Sequence, residues 1–364
     1  MPHGLNNTPN SSRQIKKYWV FYVIFISAIS ILGGSAYLNR VAIKEFDPVT
    51  PIFTATDYSE MLLVRYDGFF LQYYYRGNNP DRLNIILKTM KKLTVSLRHK
   101  LLKGDYIFSL HDGVHYKYPW PVLGFAGTDK LINNSDVILI PDPDALLGYS
   151  NLFREVDKAI YDTPWSNKIA KVFWRGSATG AGPENNDLSG TARLRFMNYA
   201  SKLYFTDVGL TFYTQQLNPN FKKLLSSVYS IKPRVTVTEA IKYKYLIDID
   251  GNSCSYSRMA WILYSNSLLM KHASIYKQWY YDQMQPYVHY IPISENFNNL
   301  QEQYIWTETN QESAQTIAEN GRIFAKHIFN ENKLLDSFEQ GLLQYHALIN
   351  LYPRTYAHSP TTLH

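Results

Sequence analysis

The sequence predicts an α/β protein of two lobes, each on an open parallel sheet, facing a cleft and preceded by one N-terminal membrane-spanning helix. Three observations carry this expectation. An uncharged apolar run covers Tyr18 to Leu38. Beyond it, short apolar strands alternate with helix-patterned segments, a rhythm that argues for parallel sheets. Two of those strands, Lys171–Trp174 and Tyr243–Ile249, run straight into loops rich in Gly, Ser and Asn. Ligands of open parallel sheets bind at the carboxyl ends of strands.

In chain order, residues 1–17 form a polar tail and 18–38 the anchor. At 1.5 Å per residue, the anchor crosses a hydrocarbon core of about 30 Å. Trp19, Tyr22 and Tyr37 sit at its ends, where interfacial aromatics belong. Arg13, Lys16 and Lys17 precede it, while Arg40 and Lys44 are offset by Glu45 and Asp47. That bias favours a cytoplasmic N-terminus. Cys254 is the single cysteine of the 364 residues. No intramolecular disulfide is possible, which suits lobes in a reducing compartment. The two signs oppose each other, so the side of the membrane stays open here.

Residues 39–52 read as a linker and 53–165 as an N-terminal lobe. In that lobe, Asp81–Lys103 has apolar residues at helical spacing, while Tyr106–Leu110 and Val137–Ile140 read as buried strands. Residues 166–330 read as a second lobe. Its strands are Lys171–Trp174, Tyr243–Ile249 and Ser267–Lys271, with helices from Met259 to Tyr264 and Glu312 to Phe329. Residues 331–364 read as terminal helices packing back on the first lobe.

The composition allows a large core with rings to spare, at 45% hydrophobic and 30 Tyr. The net charge of +7 suits anionic partners such as a nucleotide diphosphate or lipid phosphate. No concentrated basic block marks a nucleic-acid tail, so no nucleic-acid partner is expected.

The chemistry is expected at two junctions. In the first, Arg175, Gly176, Ser177 and Thr179 follow a strand: small residues admit a phosphate closely, and the arginine adds a bidentate contact. In the second, Gly251 and Ser255 lead to Arg258. Spacing alone also fits Gly-rich turns with surface arginines. Asp248-x-Asp250 and Asp142-x-Asp144 have the form of a metal clamp, but so short a pattern carries little weight.

At these residues the chain resembles glycosyltransferase family 90. WRGSATG at 174–180, KYKYLIDIDGNSCSYSR at 242–258, the HYIPI block at 289–293 (with Tyr287 in place of a Trp) and ENGRIFAKHIF at 319–329 are similar to family motifs. The resemblance implies a GT-B fold of two Rossmann-like lobes. It also implies a UDP-sugar donor, inverting transfer to a hydroxyl of a glycan, lipopolysaccharide or protein acceptor, and no metal or other cofactor. Arg175 and Arg258 would hold the diphosphate, with Gly176, Ser177, Thr179, Gly251 and Ser255 around it. The family's aspartate base falls on Asp112, where His111 replaces the usual arginine. The alternative is a tethered glycan-binding protein without turnover.

Overall fold

The computed structural model describes residues 43–45, 59–180, 188, 190–214 and 218–351. The tail, the run Tyr18 to Leu38 and most of the expected linker lie outside these residues. No helix among the described residues is long and apolar enough to cross a membrane.

The first lobe contains β1 (Ile43–Glu45), β2 (Met61–Tyr66), β3 (Leu71–Arg76), α1 (Pro80–Val95), β4 (Gly104–Ser109) and β5 (Val122–Gly124). It continues with β6 (Gly127–Thr128), α2 (Asp129–Asn133), β7 (Val137–Leu139), α3 (Pro143–Leu147) and α4 (Ser150–Asp162). The second holds β8 (Ile169–Ser177), α5 (Ala192–Ala200), β9 (Thr206–Phe212), α6 (Pro219–Val228), α7 (Val237–Ala240), β10 (Tyr243–Asp248) and α8 (Tyr256–Tyr264). Then come β11 (Leu268–His272), β12 (Tyr276–Lys277), β13 (Ile291–Ile293), α9 (Leu300–Thr309), α10 (Gln311–Ile328) and α11 (Glu331–Ile349).

The first sheet has six strands in the order β1-β3-β2-β4-β5-β7. It is mixed rather than parallel, because β2 runs antiparallel to both β3 and β4. The reason is local. Between β2 and β3 the carboxylate of Asp67 accepts the N–H groups of Phe69 and Phe70, each at 2.7 Å, closing a turn too short for a crossover. Consequently β3 and β4 point the same way, and α1 carries the chain between them. The start of α1 and the end of β4 therefore share one edge of the sheet.

Helix α1 begins where Asn79 caps it and Pro80 opens the first turn. Leu83, Ile86, Leu87, Met90 and Leu93 face the core. It stops at Val95, short of the expected Lys103. Ser96 is extended, and its hydroxyl accepts from the N–H groups of Arg98 and His99. Glu339 on α11 then takes the His99 ring at 2.9 Å and the Lys100 N–H at 2.6 Å, drawing the segment away from the helix axis.

The second sheet has five strands, all parallel, in the order β13-β11-β10-β8-β9. The chain leaves β8 for β9 on one side and returns to β10 on the other. Loops after β8 and β10 thus diverge, and a crevice opens at their carboxyl ends.

The lobes are joined at several places, two of them away from the strand-end loops. Helix α11 lays Phe338, Leu342, Tyr345 and Ile349 into the core of the first sheet, and each buried apolar side chain contributes about 1.5–3 kcal/mol. β12 pairs antiparallel with β6, and beside it Lys277 meets Asp129 at 2.9 Å.

Candidate functional site

β8 does not end at Trp174 as the sequence suggests. It continues through Arg175 and Gly176 to Ser177, with an irregularity in its pairing to β9 after Gly176. Alternation along the strand sends Trp174 into the core with Phe196 of α5. Phe173 and Arg175 face the side covered by α7 and α8. Gly176 is required by packing: a Cβ there would lie 2.4 Å from the Trp174 indole.

Arg175 donates to the Asp207 carboxylate at 2.7 Å and to the Asp207 carbonyl at 2.8 Å. Its guanidinium stands 4.6 Å from the Phe173 ring centroid. Burial would raise the Asp207 pKa, but hydrogen bonds from Tyr243, Lys232 and Arg175 outweigh it and hold the carboxyl at about 2.

Across the crevice, Ser255 donates its hydroxyl to the Asp248 carboxylate. Arg258, in the first turn of α8, donates to the Arg175 carbonyl at 2.8 Å. Its guanidinium is largely buried, and that burial lowers its pKa. Arg175 and Arg258 line a cavity of about 260 Å³ with Thr236, Ser257 and Trp261. Gly251 lines a different cavity, of about 470 Å³, with Gly180, Thr191, Asn252, His272 and Glu295. The structure therefore divides the expected donor residues. The arginines sit on the α8 face of the sheet, while Ser177, Thr179 and Gly251 gather at the strand ends.

What gathers them is Arg193, on the first turn of α5, which no sequence signal singled out. Its buried guanidinium donates to the Ser177 carbonyl at 3.0 Å, the Asp250 carbonyl at 3.2 Å, the Ile249 carbonyl at 3.3 Å and the Thr179 hydroxyl at 2.5 Å. Burial lowers its pKa to about 10, so it stays charged at neutral pH. One cation thus ties together the two loops. They touch closely: Gly180 has φ +92°, and a Cβ there would meet the Gly251 carbonyl at 2.7 Å.

Asp112 emerges from β4 at the sheet edge where α1 begins, and it faces this pair of loops. Its Oδ1 pairs with Arg82 of α1 at 2.5 Å, and its Oδ2 accepts from the Asn252 amide at 3.2 Å. Its carbonyl accepts the hydroxyls of Ser253, at 2.6 Å, and of Tyr256. Burial pushes the Asp112 pKa upward, but Arg82, Asn252 and the charge of His111 prevail, leaving it below the usual carboxylate value. The side chain is 43% exposed. An ionised carboxylate, open to solvent and held from two sides, is chemically able to accept a proton from a hydroxyl.

Both residues of Asp248-x-Asp250 are buried. Asp142 caps α3 by accepting the Ala145 N–H at 3.1 Å, and burial pushes it up to about 7. Among the described residues, no group of three or more His, Cys, Asp or Glu is placed to hold a metal ion. His115 meets the Tyr276 hydroxyl at 3.1 Å, and His289 accepts the Gln285 N–H at 3.0 Å. Cys254 is buried, and burial raises its thiol pKa well above the ordinary value.

Residues 120–360 match the sequence model of glycosyl transferase family 90. The chain is 33% identical over 171 residues to protein O-glucosyltransferase 2 of Danio rerio, covering 46% of this chain and 31% of that protein. It is 25% identical over 273 residues to human protein O-glucosyltransferase 3, covering 70% of this chain and 49% of the relative. It is 26% identical over 160 residues to the O-glucosyltransferase LpsA of Dichelobacter nodosus, covering 44% of each. The chain thus spans half or less of these relatives' length. Asp112 and Arg82 lie upstream of the residues matched by the family.

Proposed function

The chain belongs to glycosyl transferase family 90, and from that premise we propose that it is an inverting transferase of the GT-B kind. It would move a sugar from a UDP-sugar to a hydroxyl of a glycan, lipopolysaccharide or protein acceptor. The observation that carries this reading is the meeting of Asp112 with Asn252 at the strand ends, because it sets a carboxylate against two small-residue loops. The names of the relatives support a glucosyl or similar donor.

In this reading Asp112 takes the proton of the acceptor hydroxyl as its oxygen attacks the anomeric carbon. The bond from that carbon to the diphosphate breaks, and UDP leaves with the electron pair. Negative charge developing on the leaving group is met by the Gly180 and Gly251 loops, which the Arg193 cation ties together, while Arg175 and Arg258 add positive charge from the α8 face of the sheet. Arg175 is held ready by Asp207, and Arg258 by the carbonyl of Arg175. These fixed cations would let the transfer proceed without a divalent ion. Tyr18 to Leu38 would tether the enzyme to a membrane.

UDP release tests the function directly. The chain is incubated with a panel of UDP-sugars and with glycan, lipopolysaccharide or peptide acceptors. One donor should release UDP in an acceptor-dependent way and also raise the unfolding temperature. Absence of both effects across the panel would refute the assignment.

A further inference from the structure

We infer that Arg82 and Asn252 are positioning residues for Asp112: reaching it from opposite lobes, they aim its carboxylate and tie it to the loop beside the donor. The inference rests on the reading of Asp112 as the base, and it adds two residues to which the sequence assigned no role.

The geometry of Arg82 is specific to a fork. Nη2 pairs with Asp112 Oδ1 at 2.5 Å while Nη1 donates to the Leu110 carbonyl at 2.6 Å. One planar group therefore fixes both the carboxylate and the backbone that carries it, which a lysine ammonium does not reproduce. The guanidinium also stands 5.9 Å from the Phe125 ring centroid. Topology explains the meeting, since the β3–α1–β4 crossover brings the first turn of α1 to the end of β4.

Asn252 performs the matching task from the second lobe. Its nitrogen donates to Asp112 Oδ2 at 3.2 Å, and its oxygen accepts the Gly180 N–H at 3.1 Å. Arg82, Asp112, Asn252 and Gly180 form one hydrogen-bonded line from α1 to the loop after β8. Each carboxylate oxygen has one donor from the line, and it keeps lone-pair capacity for an acceptor hydroxyl. The titratable groups facing Asp112 are Arg82 from α1, His111 and His115 from its own loop, and Tyr256 from α8. Among them Arg82 is the closest cation, and it opposes the upward push of burial.

The test is the pH profile of kcat/KM, measured as UDP release with the productive donor and acceptor. Arg82→Gln should move the acid limb up by about 1–3 pH units, the size of an arginine's effect on a neighbouring aspartate. Arg82→Lys keeps the charge, so its limb should stay near the wild-type position. Its kcat should still fall by about ten- to a hundredfold, because the fork is lost. Asn252→Ala should lower kcat and also raise the donor KM, through Gly180. An unmoved limb in Arg82→Gln, or wild-type kcat in Arg82→Lys, would overturn the inference while Asp112→Asn remains inactive. Normal turnover by Asp112→Asn would instead sink the base reading and the inference with it. If Arg82→Gln does not fold, the kcat of Arg82→Lys decides alone.

Discussion

Asn252 and Asp112, 140 residues apart in the chain, share a hydrogen bond of 3.2 Å across the cleft. The bond joins the lobe that carries the carboxylate to the loop that ends β10, so Asp112 is oriented by both lobes together.

Asp112→Asn should therefore separate chemistry from binding. The amide keeps the shape and a partner for Asn252 but cannot take a proton. Turnover is expected to fall by about 10²–10⁴-fold, the usual size of a general base's contribution. Affinity for UDP, followed by calorimetry, should stay near wild type.

Arg193 holds five backbone or hydroxyl oxygens of the two loops from a buried position. In Arg193→Ala those oxygens lose their donor, and each buried group left without a partner costs about 1–3 kcal/mol. Urea unfolding should show a loss of about 3 kcal/mol or more, and donor KM should rise as the loops separate. Wild-type stability would show that the oxygens find other partners.

Gly180 combines a left-handed backbone with a close neighbour, at φ +92° and 2.7 Å from the Gly251 carbonyl to any added Cβ. Gly180→Ala must push the loops apart, since backbone rather than a flexible side chain blocks it. The expected result is a higher donor KM and a cost of about 1–3 kcal/mol. Gly148, at φ +89° with nothing within 4 Å of its added Cβ, is the control. Gly148→Ala should leave donor KM unchanged.

Lys168 is buried, with its ammonium donating to the Ile241 carbonyl at 2.7 Å and the Ser267 hydroxyl at 2.8 Å. Burial lowers its pKa to about 7. The unfolded chain, with an ordinary lysine near 10.4, binds more protons between those values, so this group favours the folded state increasingly as pH rises. Relative to Lys168→Met, the wild type should gain stability from about pH 7 to about pH 10. Thermal unfolding at several pH values checks it, and a gap that does not change with pH would contradict the assignment.

Much of the scaffold was readable from local pattern. Strands at Tyr106 and Val137, the strand Tyr243–Asp248 with its Gly-Asn-Ser loop, and the periodicity of α10 all declared themselves through apolar spacing and Gly. The extension of β8 through Arg175 and Gly176 did not, because a glycine looks like the start of a loop whether it frees the backbone or makes room for Trp174. The antiparallel β2 was equally hidden, since alternation marks a strand but not its direction. Arg82 looked like one more basic residue on an amphipathic helix, and Arg193 lay where no element was expected.

The uncharged run, the strand-and-helix rhythm, the small-residue loops after β8 and β10 and the family they resemble were determined by sequence alone. These are local features, set by period, backbone freedom and side-chain size. Partners were decided only by the tertiary structure. Arg175 turns to Asp207, Ser255 to Asp248, and Arg193 closes the two loops, while Arg82 and Asn252 meet Asp112. A guanidinium or an amide carries the same donors wherever it stands. Which oxygen it finds depends on crossovers and lobe packing that bring distant residues to one edge.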